Sequence, residues 1–138
     1  MKKLDRILKV MEKQIQNDIF QLNQIRKEIL DKEEKRGYLL TELEKTENLK
    51  IKDVLELKLL REYQKFLNEQ LKKVDSELNS LKETEKHILE SIKEKNAQKK
   101  AIESYISKKS IQQEVKRQFE EAIQNSDNYN RNFVNNLI

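Results

Sequence analysis

Apolar residues recur at intervals of three and four along the first third of the chain: Leu4, Leu8, Met11, Ile15, Ile19, Leu22, Ile25, Ile29, Leu40 and Leu43. At about 100° per residue they stay within roughly 60° of one direction, the signature of a single continuous helical face. The face thins at "DKEEKRG", where Lys32, Glu33 and Arg36 occupy the seam and the one glycine, Gly37, follows. Glycine inside a helix costs about 1 kcal/mol relative to alanine, so a soft spot or kink is expected there. The next break is "EKTENLKIKD": Thr46 and Asn48 are poor helix formers, and Asp53 stands where an N-cap belongs, just before "VLELKLL". Helix one is therefore placed at about 3–46, the turn at about 47–53 and the start of helix two at about 54.

A second stripe runs through Leu55, Leu59, Tyr63, Leu67, Leu71, Val74, Leu78, Leu81, Ile88 and Ile92. Folding the chain back about residue 49 sets Leu43 opposite Leu55 and Leu4 near Ile92, so the two stripes begin and end together. The expectation is an all-α fold: a long antiparallel two-helix coiled-coil hairpin with a longer C-terminal helix, forming a single domain over residues 1–138. Each arm of about 40 residues would be about 60 Å long. A parallel dimer of one continuous helix is the competing architecture.

Beyond residue 95 the pattern turns. Ile102 and Ile106 stay in phase, but Ile111, Val115, Phe119 and Ala122 form a stripe rotated by more than a third of a turn. Helix two, expected to about 125, thus outruns helix one and carries an apolar face that helix one cannot cover. Self-association and a dedicated partner are both open as its cover. The Asn-rich end, about 126–138, is expected to fray, with Tyr129 and Phe133 as docking points. Near the turn, "LKLLREYQKFL" spreads Leu55, Leu59, Leu60, Tyr63, Phe66, Leu67 and Leu71 over roughly 160° of helix, wider than a two-helix seam needs. Its aromatics either complete the packing near the hairpin tip or, with Tyr38, form a second binding surface.

Composition sharpens this picture. With no Pro, no Cys, no Trp and 39% charged residues, the chain lacks the turn-formers of a compact many-element domain. No apolar run approaches the ~18 residues of a membrane span, and "MKKLDRILKV" has no signal-peptide core, so a cytoplasmic protein without membrane insertion is expected. Without cysteine there are no disulfides or thiolate metal sites, and the lone His87 builds no cluster. The net charge of +4 comes from interspersed Lys/Arg and Asp/Glu, which reads as a solvated helix surface rather than a nucleic-acid stripe. There is no Gly-rich phosphate loop and no nucleophile beside a base, so no enzyme, catalytic residue, metal or cofactor is expected.

Three stretches, "LDRILKVMEKQ", "REYQKFLNEQLKKV" and "LESIKEKNAQKKAIESY" with the later "QQEVKRQFEEA", resemble in order and spacing the FliJ/YscO family of flagellar and type III secretion export proteins. The cluster Tyr63, Gln64, Phe66, Leu67 carries most of the likeness. The resemblance implies an antiparallel stalk similar to the central shaft of rotary ATPases, located in the cytoplasm at the inner-membrane export apparatus. It implies binding to the export ATPase hexamer, promotion of ring assembly and hydrolysis, contact with the cytoplasmic domain of the export-gate membrane protein, and recycling of export chaperones. Mapped by position, Lys99, Lys100, Tyr105, Lys108, Lys109, Arg117 and Phe119 would face the ATPase. Tyr38, Leu60, Tyr63, Phe66 and Leu67 would face the gate. The protein would be a monomer when free. A generic self-associating scaffold or holdase chaperone is the alternative.

Overall fold

The computed structural model describes residues 2–137: α1 (Lys2–Glu47), a connection over 48–53, and α2 (Val54–Leu137). Among the described residues there is no strand, and the two helices pack against each other as an antiparallel hairpin. Among the described residues no helix is long and apolar enough to cross a membrane. Contacts divide the chain into two compact units, residues 13–94 and residues 1–12 with 95–138.

The buried and half-buried positions reveal the period. In α1 they run through 4, 8, 11, 15, 18, 22, 25, 29, 32, 39, 43 and 46, and in α2 through 57, 60, 64, 67, 71, 74, 78, 81, 85, 88, 92, 95, 99, 102 and 106, with half-buried flanking positions at 42, 70, 75, 77 and 91. Steps of four and three alternate throughout, with one gap in α1 at the exposed Arg36. This is a repeat of 3.5 residues, the spacing of a left-handed coiled-coil seam. A straight helix drifts about 20° per heptad against that repeat, so a fixed 100° projection loses the seam after several turns. Hence Leu39, at 6% exposure, is the core residue where the projection favoured Leu40, at 43%. For the same reason α2 enters the seam through Leu57, Leu60 and Gln64, whereas Leu55, Leu59 and Tyr63 are exposed.

In the unit of residues 13–94, Ile29, Leu39, Leu67, Val74 and Leu78 form the core cluster, with Ile25, Leu43, Leu71 and Leu81 packed around it. The residue numbers of most cross-helix partners add to nearly one constant: Asp18–Ser91, Arg26–Glu85, Lys32–Glu77, Arg36–Asp75 and Thr46–Gln64 give 109–111, whereas the longer reaches Glu33–Lys82 and Glu42–Tyr63 give 115 and 105. A fold about residue 49 would give about 98. Leu43 therefore packs on the cluster that holds Leu67, not on Leu55. The shift follows from the 3.5-residue phase, which delays the first α2 seam residue to Leu57.

The connection is held at α2. Asp53 Oδ1 accepts the Glu56 backbone N–H at 2.7 Å, and Glu56 Oε2 accepts the Lys52 N–H at 3.2 Å. That reciprocal pattern is close to a capping box, shifted by one donor. At the end of α1, Thr46 is buried to 4% exposure; its hydroxyl donates to the Leu43 carbonyl at 2.6 Å and accepts from Gln64 Nε2 at 3.0 Å.

The expected soft spot at Gly37 does not end α1, which is one helix through it with no positive φ. The polar stretch is bridged to α2 instead: Lys32 Nζ lies 2.5 Å from Glu77, Arg36 Nε 2.7 Å from Asp75, and Lys82 Nζ 3.9 Å from Glu33.

In the second unit, Lys99 Nζ reaches Glu12 at 3.5 Å, and Leu8 shares a shallow groove with Ile106 and Ile111. The first turns of α1 thus reach Ile106 rather than stopping near Ile92. From Ser126 onward the Asn-rich stretch, expected to fray, continues as helix to Leu137; Ile138 lies outside the described residues. Asparagine costs only some tenths of a kcal/mol in a helix, and no Gly or Pro stands there to stop propagation.

Candidate interaction surfaces

Beside the connection, the gate-facing residues separate by depth. Tyr38, Tyr63 and Phe66 are exposed, at 63%, 42% and 53%; Leu60 is half-buried; Leu67, at 3%, is core. Its side chain is spent on packing, so Leu67 is not available to a partner, a correction to the sequence-based assignment. Tyr63 Oη donates to Glu42 Oε2 at 3.4 Å, which ties the ring to α1. Desolvation, then the Glu42 charge, pushes this hydroxyl above the ordinary tyrosine value.

The surface here is wider than the aromatics alone. Leu49, Val54, Leu55 and Leu59 are 57–82% exposed. Val54 and Leu57 line a shallow depression with Lys58, Arg61, Glu62 and Lys65. The fixed 100° projection places Leu55 and Leu59 in the seam. Carrying the four-three alternation back from Leu67 would have placed them outside.

The residues assigned to the ATPase are all in the second unit. Lys99 is paired with Glu12 and, at 3.9 Å, with Glu103, so its charge is already partly used within the hairpin. Lys109 Nζ sits 5.8 Å from the centre of the half-exposed Tyr105 ring, within cation–π range. Arg117 bridges Glu114 at 2.7 Å and Glu121 at 2.8 Å. This guanidinium holds the Glu114 carboxyl below its ordinary value. Lys100, Lys108 and Phe119 are exposed, the ring at 66%.

Two properties make this end distinctive. Residues 95–117 carry seven Lys/Arg against two Glu, an excess larger than the +4 of the whole chain, so the remainder is slightly acidic. From Ile111 to Asn136 every residue is exposed, Ile111, Val115, Phe119, Tyr129 and Phe133 included. Such an arrangement can bind through apolar burial with a basic collar. Among the described residues no three His, Cys, Asp or Glu side chains gather as a metal site. His87 is exposed between Glu83 and Glu90. No family model, curated protein or solved structure matches this chain.

Proposed function

We propose that the protein is a non-enzymatic central-stalk component of a flagellar or type III protein export apparatus. In this reading it binds the export ATPase ring, promotes its assembly and hydrolysis, and links it to the export gate from the cytoplasmic side. Export-chaperone recycling is a further role of the same reading.

The observation that carries the proposal is the helical hairpin whose α2 continues for 31 residues past its last seam position, Ile106, to Leu137. That extension joins an exposed apolar stripe to the basic excess of 95–117. The exposed Tyr38, Tyr63 and Phe66 supply an aromatic surface at the connection, as a second partner would need. Together with the order of the three FliJ/YscO-like stretches, these features support a stalk with two binding ends.

The test is ATP hydrolysis by the export ATPase of the same organism, with and without the purified protein, alongside sizing of the mixture. The proposal expects faster hydrolysis and co-migration with a larger ATPase assembly. An ATPase that is active but unchanged in rate and size overturns it. A scaffold or holdase is the second reading, favoured by the extent of exposed apolar side chains. It expects suppressed aggregation of an unfolding client and no effect on the ATPase.

A further inference from the structure

We infer that the C-terminal extension of α2 pairs antiparallel with the same segment of a second copy, about a two-fold axis at Ala122. The inference rests on the extension alone; it uses the Phe119 stripe that the stalk reading gives to the ATPase, so the dimer and the ATPase complex would be alternative states of the chain.

After Ile106 the four-three seam runs into polar residues: Lys109, Gln113, Lys116 and Glu120. A different stripe replaces it, through Ile111, Val115, Phe119, Ala122, Ser126, Tyr129 and Phe133. Ile111, Ala122 and Phe133 are eleven residues apart, so the stripe repeats at about 3.67 residues per turn. That period lies closer to an undistorted helix than the 3.5 of the hairpin. The stripe is therefore a second seam with its own geometry; α1 approaches it only at Ile111, through Asp5 and Leu8, and leaves that residue 61% exposed.

The stripe fits its own reverse. Reflected about Ala122, Ile111 meets Phe133 and Val115 meets Tyr129, apolar on apolar in each layer. The one bulky central side chain, Phe119, falls on the gap between Ala122 and Ser126 of the copy, where small side chains leave room for a ring. A parallel pairing would stack Phe119 on Phe119 and leave Ala122 and Ser126 facing each other across a void, which close-packed interfaces avoid.

Charge permits the approach. Gln112, Gln118, Asn125 and Asn130 border the stripe. Glu114 and Glu121, at one margin, both pair with Arg117 of the same helix, which offsets one of their two charges.

The area is sufficient as well. The five large seam residues are 57–70% exposed and together offer on the order of 500 Å² per copy. The bordering side chains bring this towards the ~800 Å² per partner of a standard interface.

The experiment uses the full chain. Sedimentation equilibrium should give twice 16.7 kDa, and Phe119→Lys should halve that mass with the circular dichroism unchanged. The chain has no cysteine, so single cysteines report the pairing directly. Oxidised Ala122→Cys should form a covalent dimer. Ile111→Cys should not, because its two copies would stand about 33 Å apart. A wild-type monomer at hundreds of micromolar overturns the inference, and so does cross-linking of Ile111→Cys as complete as that of Ala122→Cys.

Discussion

Phe66 and Leu67 are neighbours in sequence, yet a single step along the helix moves the side chain from 53% to 3% exposure. Leu67 is enclosed by the Ile29, Leu39, Val74 and Leu78 cluster, so Leu67→Ala removes buried methyl groups and leaves a cavity. The expected loss is about 2–5 kcal/mol, read as a large drop in melting temperature. Phe66→Ala should change stability by less than about 1 kcal/mol, since the ring loses little packing. If the ring serves the gate, the effect of Phe66→Ala appears in binding instead. The polar seam residues work differently. Thr46 with Gln64 and Asp18 with Ser91 occupy layers that leucine could fill at lower desolvation cost. A polar layer of this kind specifies one register over its neighbours, because slippage separates the partners.

For α1, the weak point read at Gly37 becomes an opportunity. A Cβ added there would meet nothing within 4 Å, and φ is not positive. Gly37→Ala should therefore raise stability by about 1 kcal/mol, detectable as a higher melting temperature. The ion-pair band nearby gives a pH prediction. The hydrogen bond from Lys32, the largest influence on Glu77, holds its carboxyl below the ordinary value even though desolvation opposes it. A carboxyl depressed in the folded state stabilises the fold above its unfolded pKa of about 4.3. That contribution is lost as the pH falls through the lower, folded value. The melting temperature should decline below about pH 4.3, and less steeply in Glu77→Gln; parallel declines in the two proteins would rule out this pair as a contributor. Both helices and the Asp53 cap were legible in the sequence, because long periodic stripes and cap residues are local signals. The register was not: it depends on the difference between 3.5 and 3.6 residues per turn, invisible within one heptad and decisive by the fifth.

At the scale of the whole molecule, the chain exposes 11,634 Å², against about 7,600 Å² for a compact protein of its mass. It buries a smaller share of its surface than a compact domain would, and Tyr38, Phe66, Phe119 and Tyr129 are among the apolar side chains left exposed. The interaction ends were only partly legible for this reason. Phe119 and the basic excess are visible as composition, but exposure of Leu55 and Leu59 emerges only once the seam is fixed. Removing residues 111–138 should leave the hairpin's melting transition nearly unchanged, because every seam position is retained. In the stalk reading the same truncation weakens ATPase stimulation, because it removes Arg117 and Phe119 and keeps Lys99, Lys100, Tyr105, Lys108 and Lys109; a truncated chain that stimulates as well as the full one would confine the contact to residues before 111. The constant register also dictates an order of assembly. Cross-helix partners lie 18 residues apart at Thr46–Gln64, then 39 at Arg36–Asp75, 59 at Arg26–Glu85 and 73 at Asp18–Ser91. Closing the last of these directly would cost more loop entropy than closing the first, whereas each rung, once made, leaves only a short gap to the next. The unit of residues 13–94 is thereby built to zip from its capped connection outward, and amides near Thr46 should be the first to gain protection from hydrogen exchange during refolding.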